Sequence, residues 1–514
     1  MQISLNRCGM PVPSNVTEPL LWQAYSVNTQ KHSLVLMRLT QALSESMAYA
    51  TLLDAPLCEP SALHRWGLAG YGNSDTVQRL DVVHRHVYVN AQPQGQRIAH
   101  AHELNAVLEE WLQRQCPAHE LPEALETLPS TSGIFAQMAY EASWLWNDKL
   151  ASLSPLPQCE PAVATHRFIR YAHRLLMDYH HGVLYALTPS QNEQDRIAST
   201  LTKILQQDAL VSDRHFQEFD PAWLEAYTPS LTQADFEAGV TQIKTWIEAG
   251  ELYQANLSVQ WQRTLCLNAW RLFEALTHRN PSPFAGLWKS PQGWVLSNSP
   301  ERLIQQDALS LSTRPIAGTR SRGQSVEAER RLEQELLSLE KERAEHLMLV
   351  DLERNDLGQV CQAGTVEVDE LMSVERYSHV THVVSNVKGT KEPEVSQTKI
   401  LQALFPGGTI TGCPKLRCIQ QLAKLEHTAR GVYTGSMGYM DPHAQRMDFN
   451  ILIRTIHLLP TKAFPYQPGD VDVQPYRLCL QAGAGIVYDS EPHAEWKESL
   501  KKAKALLEAI ESVL

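Results

Sequence analysis

The 514-residue chain has no run of eighteen apolar residues, so no helix is expected to span a membrane. Its first residues, MQISLNRCGMPVPS, lack an apolar core of signal-peptide length. No cysteine pair has C-x-x-C spacing, and nine cysteines are scattered from Cys8 to Cys479. That usage fits a reduced, cytoplasmic protein, not a disulfide framework or a structural zinc site. Basic charge is also short. Against 57 Asp and Glu stand 45 Lys and Arg, a net charge of −12, without the broad positive footprint of a nucleic-acid binder. Neither GxGxxG nor the P-loop pattern occurs, so no nucleotide site is indicated. Internal repeats and low-complexity tracts are missing too. Apolar residues are plentiful at 43%, which excludes disorder for most of the chain.

The two halves read differently. Residues 1–230 are rich in His, Gln, Trp and Leu and poor in glycine motifs. Helical apolar spacing marks Leu34–Leu43, Ala101–Arg114 and Asp195–Gln207, and the prolines of Cys116–Pro129 mark a loop. A turn at Tyr227–Ser230 opens a second region, 231–514. There Thr232–Gly250 reads as an amphipathic helix closed by Gly250, and Tyr253–Trp261 alternates like a strand. Further strands (Trp294–Asn298, Arg477–Gln481) mix with helices (Ser325–Leu352, Lys415–Leu425, Ala494–Leu514). Most glycine clusters, and all catalytic candidates, lie in this second region.

Glu342 and Glu345 stand three apart in one helical segment, and Glu495 and Glu498 repeat the spacing in another, with Lys502 one turn further on. At i, i+3 both carboxylates share a helix face. A single such pair is most often a solvated surface. Two pairs facing each other would need a cation, and oxygen ligands alone favour Mg²⁺ over zinc. Arg454, after an apolar run, suits a carboxylate ligand or a structural ion pair. Tyr433, Thr319 and Thr409 offer hydroxyls, while Gly483 and Gly485 offer backbone N–H groups or merely close packing. His379 and His382, three apart in a strand, point to opposite faces, so only one can serve a given site. Cys413 precedes Pro414 and has no nameable base, which disfavours a nucleophile.

Over residues 232–514 the chain resembles the chorismate-binding domain shared by component I of anthranilate synthase, component I of aminodeoxychorismate synthase, isochorismate synthase and salicylate synthase. The matching strings are LYQANLSVQW, SNSPERLI, RPIAGTRSRG, ERAEHLMLVDLERNDLG, VERYSHVTHVVSNVKG, FPGGTITGCPKLRCIQ, VYTGSMGY, MDFNILIRT and QAGAGIVYDS, in family order. The resemblance implies an α/β (α+β) fold in which two packed β-sheets are surrounded by helices, with the active site between the sheets. It also implies a Mg²⁺-dependent enzyme acting on chorismate. Glu345 and Glu498 match its metal carboxylates, with Glu342 and Glu495 supporting them. Gly318, Thr319, Tyr433, Arg454, Gly483, Gly485 and Lys502 match substrate contacts. His382 matches a histidine that assists departure of the ring hydroxyl, and Thr409 lines the pocket.

The water-using members carry a lysine base where this chain has Gln254, so the resemblance points to ammonia as nucleophile. SPER (Ser299–Arg302), GGTITGCPK (Gly407–Lys415) and PFAGLW (Pro283–Trp288) look more like the aminodeoxychorismate branch. Ala317 departs from those members that place a nucleophilic lysine there. The tryptophan-feedback string Leu-Leu-Glu-Ser of anthranilate synthase is replaced by Leu52-Leu53-Asp54-Ala55. No glutaminase pattern is present, so the expected ammonia source is a separate glutamine amidotransferase subunit. The expected activity is amination of chorismate to 4-amino-4-deoxychorismate, for 4-aminobenzoate and folate. The alternatives are anthranilate synthase component I and a non-catalytic chorismate- or tryptophan-binding scaffold.

Overall fold

The computed structural model describes residues 5–6, 21–27, 32–54, 66–115, 125, 128–153, 157, 163–206, 216–321, 327, 340–376, 380–461 and 474–514. Among these, two mixed-order antiparallel sheets form the centre, one of 13 strands and one of 12. Both sheets run across residue 230. In the first, strand Tyr49–Leu53 pairs with Phe284–Ser290. In the second, Ile134–Met138 pairs with Ser436–Asp441. The longest register is the hairpin-like pairing of Gln254–Leu267 with Gln474–Ile486, from Ala255↔Ile486 to Leu267↔Gln474.

The packing is layered. Tyr49, Leu68, Leu176 and Trp288 from the first sheet meet Phe135, Ile169, Tyr171 and Met437 from the second in one apolar cluster. The Thr51 hydroxyl and the Tyr171 hydroxyl, one from each sheet, lie 2.9 Å apart. Helices close the outer faces. His32–Ser44, Gln191–Gln206, Gln233–Glu248, Ala269–Arg279 and Pro492–Glu511 cover the first sheet. Ala101–Gln115, Ala142–Trp146, Glu340–Gly358 and Gln397–Leu404 cover the second, and Lys415–Leu425 lies on strand Gln254–Leu267 of the first while also reaching the second sheet's core. The expected α/β fold of two packed sheets with helices outside is what the structure shows.

Most expected elements are in place. The Gln233–Glu248 helix opens on a capping box, the Thr232 side chain accepting from the Asp235 N–H while the Asp235 carboxylate accepts from the Thr232 N–H. Gly250 follows it at φ 74°, a left-handed conformation suited to glycine. The helix expected over Ser325–Leu352 is found as Glu340–Gly358, and residues 322–326 and 328–339 lie outside the described residues. Most of Cys116–Pro129 lies outside them as well. The first half also holds strands that its sequence did not announce. Two of its hairpins turn on His84-Arg85 and Asn90-Ala91, all four at positive φ. Such two-residue turns usually carry Asn-Gly or Asp-Gly. Among the described residues, no helix is long and apolar enough to cross a membrane.

Candidate active site

The chain passes from one sheet to the other at Ser299–Arg302. Strand Gly293–Ser299 belongs to the first sheet and strand Arg302–Asp307 to the second. The crossover is tied down on its backbone. Glu301 N–H donates to Ser299 Oγ at 3.1 Å, and its carbonyl accepts from Ile451 N–H at 3.0 Å. Arg302 holds Asp448 through two N–H···O bonds of 3.0 and 2.9 Å. The Glu301 side chain is thereby fixed between the sheets, 5% exposed.

That burial pushes the Glu301 carboxyl up to about 7, and the nearby Glu353 adds to the rise. The Thr409 hydroxyl, an N–H at Ile316 and the Lys502 ammonium act in the opposite direction. The Thr409 oxygen is buried, lacks a well-formed hydrogen bond among the described residues and acts on the Glu301 carboxyl. Glu301 therefore gathers influence from both helices that carry acidic pairs: Glu353 from Glu340–Gly358 and Lys502 from Pro492–Glu511. A carboxyl balanced near neutrality is suited to proton transfer.

A second wall is made of backbone. Gly483 and Gly485 lie opposite Ser258 and Asn256 in the long strand pair. A Cβ at Gly483 would stand 2.4 Å from the Leu257 carbonyl oxygen, so no side chain fits there. At Gly485 a Cβ would stand 2.6 Å from Gln254 Nε2, which places the Gln254 amide directly over that glycine. Gln254 is buried, and among the described residues its Oε1 has no hydrogen-bond partner. Lys502 Nζ donates to the Gly483 carbonyl at 3.0 Å and contacts Glu498 at 2.8 Å. Thus Gln254, Gly483, Gly485, Lys502, Glu498, Thr409 and Glu301 form one linked set.

Strand Ile316–Ser321 leads away from Glu301 and pairs with Val380–Thr390, where Thr319 stands opposite His382. The register slips between Ala317 and Thr319, so Gly318 occupies a bulge. His382 is buried, and His379 lies outside the described residues. The side chains of Ala317 and Thr319 are likewise outside them. Tyr433 is buried with its ring 5.9 Å from the Arg430 guanidinium. Burial raises the Tyr433 phenol, which stays protonated. Arg454 is half-buried at φ 51°, and its carbonyl accepts from the N–H of Asn298, one residue before Ser299.

A family model described as chorismate binding enzyme matches residues 77–508. The chain belongs to this chorismate-binding enzyme family. It is 50% identical over 288 residues to an anthranilate synthase component I-like protein of Synechocystis, a match covering 56% of each chain. It is 42% identical over 295 residues to aminodeoxychorismate synthase component 1 of Bacillus subtilis, covering 57% of this chain and 59% of that one. The chain thus spans little more than half the length of these curated relatives. Anthranilate synthase component I from Streptococcus pneumoniae superposes with a TM-score of 0.68 at 26% identity, covering 88% of this chain and 94% of that one. The menaquinone-specific isochorismate synthase of Escherichia coli shares the fold, with a TM-score of 0.64 at 16% identity over 98% and 96%.

In this member of the family the two acidic pairs lie on helices where helices were expected. Glu345 is half-buried on one helix, and Glu495 is buried beside half-exposed Glu498 on the other. The Glu342 side chain lies outside the described residues. Among the described residues no three acidic, His or Cys side chains gather into a metal cluster. Two features escaped sequence reasoning. One is the role of Glu301, hidden inside a familiar string. The other is the buried Arg430–Glu426 pair, at 2.7 Å. Arg430 also donates to the Ile410 and Asn256 carbonyls at 2.9 and 2.6 Å, and Glu426 accepts the Ser258 N–H and hydroxyl at 3.0 and 2.6 Å. The pair joins the 406–413 turn to the Gln254 strand, so it fixes two walls of the site. Cys413 has its thiol raised by burial and by Asp356, which leaves it a poor nucleophile.

Proposed function

We propose that this enzyme is component I of an aminodeoxychorismate synthase, aminating chorismate at C4 with ammonia from a glutamine amidotransferase partner. The observation that carries the reading is a buried Glu301, its carboxyl pushed up to about 7, together with a buried Gln254 whose Oε1 has no hydrogen-bond partner among the described residues. Gln254 cannot deprotonate water, but its oxygen can accept an N–H and so orient ammonia. Glu301 gives its proton to the departing hydroxyl as the C–O bond breaks, so the oxygen leaves as water. The new C–N centre sheds one proton, which returns Glu301 to its acid form. His382 and Thr409 steady the hydroxyl, and Tyr433, Arg454, Lys502 and the amides at Gly318, Thr319, Gly483 and Gly485 hold the carboxylates. Asp54 supports a product outside feedback control: its buried carboxylate already accepts the Tyr179 hydroxyl at 2.5 Å.

Glu345 and Glu498, supported by Glu342 and Glu495, supply only carboxylate oxygens, a donor set that suits Mg²⁺. A bound Mg²⁺ would stabilise charge on a substrate carboxylate as the ring rearranges.

A second reading is anthranilate synthase component I, favoured by relatives of that name such as the Streptococcus pneumoniae protein. Product identity decides between them. Incubated with chorismate, Mg²⁺ and ammonium, the purified chain is expected to yield a compound that becomes 4-aminobenzoate only after a lyase is added. Fluorescent anthranilate without the lyase overturns the assignment.

A further inference from the structure

Glu353 is a fully internal carboxyl that none of the roles above uses. It sits on the Glu340–Gly358 helix, two turns past Glu345, and accepts the Thr313 hydroxyl at 2.9 Å. The N–H of Gly408 also points to it. A Cβ added at Gly408 would lie 3.7 Å from Glu353 Oε1, so the carboxyl is packed on that backbone. The next residue, Thr409, faces Glu301. The two buried carboxyls therefore stand on either side of one short turn.

On its other side Glu353 looks towards Asp356, which takes Lys415 Nζ at 2.5 Å. Lys415 also donates to the Leu404 carbonyl at 2.9 Å. Asp356 and Lys415 line an open groove of about 920 Å³ whose floor includes Leu352, Pro406 and Cys413. The 406–413 turn thus separates that groove from the active site. The sequence of groups from solvent inward is Lys415–Asp356, Glu353, then Glu301, with Lys502 facing Glu301 from the opposite helix.

We infer that Glu353 is a positioning residue that keeps Glu301 in its acid form, acting across the Gly408–Thr409 backbone, with the Lys415–Asp356 pair linking it to the groove. Two buried carboxyls packed against the same turn, each feeling the other's charge, resist ionising together. This rests on the reading of Glu301 as the proton donor. Burial and the Asp356 charge push Glu353 up to about 7, the same range as Glu301, as the coupling requires.

The test is the pH dependence of kcat in Glu353→Gln, with Glu301→Gln as control. Glutamine keeps an acceptor for Thr313 and Gly408 but carries no charge. Without that charge Glu301 loses its proton at lower pH, so the alkaline limb of the kcat profile moves down by about one unit. At that shift kcat falls about tenfold at pH 8.5 and less than twofold at pH 6, while KM for chorismate stays within about twofold. An equal loss at every pH, or a limb that does not move, overturns the inference. If Glu353→Gln does not fold, infrared titration of the protonated-carboxyl band decides. Removing the Glu301 charge by Glu301→Gln must move the Glu353 transition to lower pH, and an unmoved transition refutes the coupling. A Glu301→Gln enzyme with normal turnover would instead refute Glu301 as donor, a separate outcome from either result at Glu353.

Discussion

The two helices that carry the acidic i, i+3 pairs differ in the groups they place a turn or more beyond Glu345 and Glu495. Glu340–Gly358 packs against the second sheet and buries its later carboxyls, Glu353 and Asp356. Pro492–Glu511 packs against the first sheet and leaves Glu498 and Lys502 about half exposed, at 49% and 48%. Burial penalises charge, so on the first helix Glu353 is pushed towards its protonated form, while Asp356 is held against Lys415 at 2.5 Å. Exposure preserves charge, so the second presents an anion and a cation ready to meet a charged ligand. The spacing is shared, but the environment assigns the chemistry.

The largest effect should come from the proton side. Glu301→Gln keeps the shape of the crossover and is expected to lower kcat by about a thousandfold, within the usual range for a general acid. Steady-state rates with ammonium check it, and a loss smaller than that of Glu498→Gln would reverse the order of the two sides. On the charged side, Glu498→Gln is expected to cost about a hundredfold in turnover and to weaken Mg²⁺ binding by calorimetry, with circular dichroism unchanged. Normal activity in that variant removes the metal assignment. The smallest effect belongs to the wall between them. Gly485→Ala places a methyl against the Gln254 amide, and about a tenfold rise in KM for ammonium is expected. A KM change for chorismate alone would mean that Gln254 does not orient the nucleophile.

How much of this was legible in the sequence depended on the residue. The helices with apolar periodicity were, down to the stop at Gly250, while the capping box at Thr232 emerged only in the structure. The strands of the first half were not, because His84-Arg85 and Asn90-Ala91 make tight turns without the usual glycine. The glycines Gly483 and Gly485 stood out by type, and Gln254 through the family resemblance. Glu301 did not, since nothing local marks Pro300-Glu301 as the step between two sheets. Arg430 and Glu426 stand four apart with nothing local to mark them as buried, yet the helix ends at Leu425 and the pair turns inward. Burial comes from partners distant in sequence, and no short window encodes it.

The interleaved sheets have a further consequence. Strand Phe284–Ser290 borders Tyr49–Leu53, and Ser436–Asp441 borders Ile134–Met138. Cutting the chain near residue 230 would therefore strip one neighbour from each, exposing two rows of bare N–H and C=O groups. Such edges pair readily with other chains. The residues that perform the chemistry and those that keep the protein from aggregating are thus different stretches of one polypeptide, bound to change together.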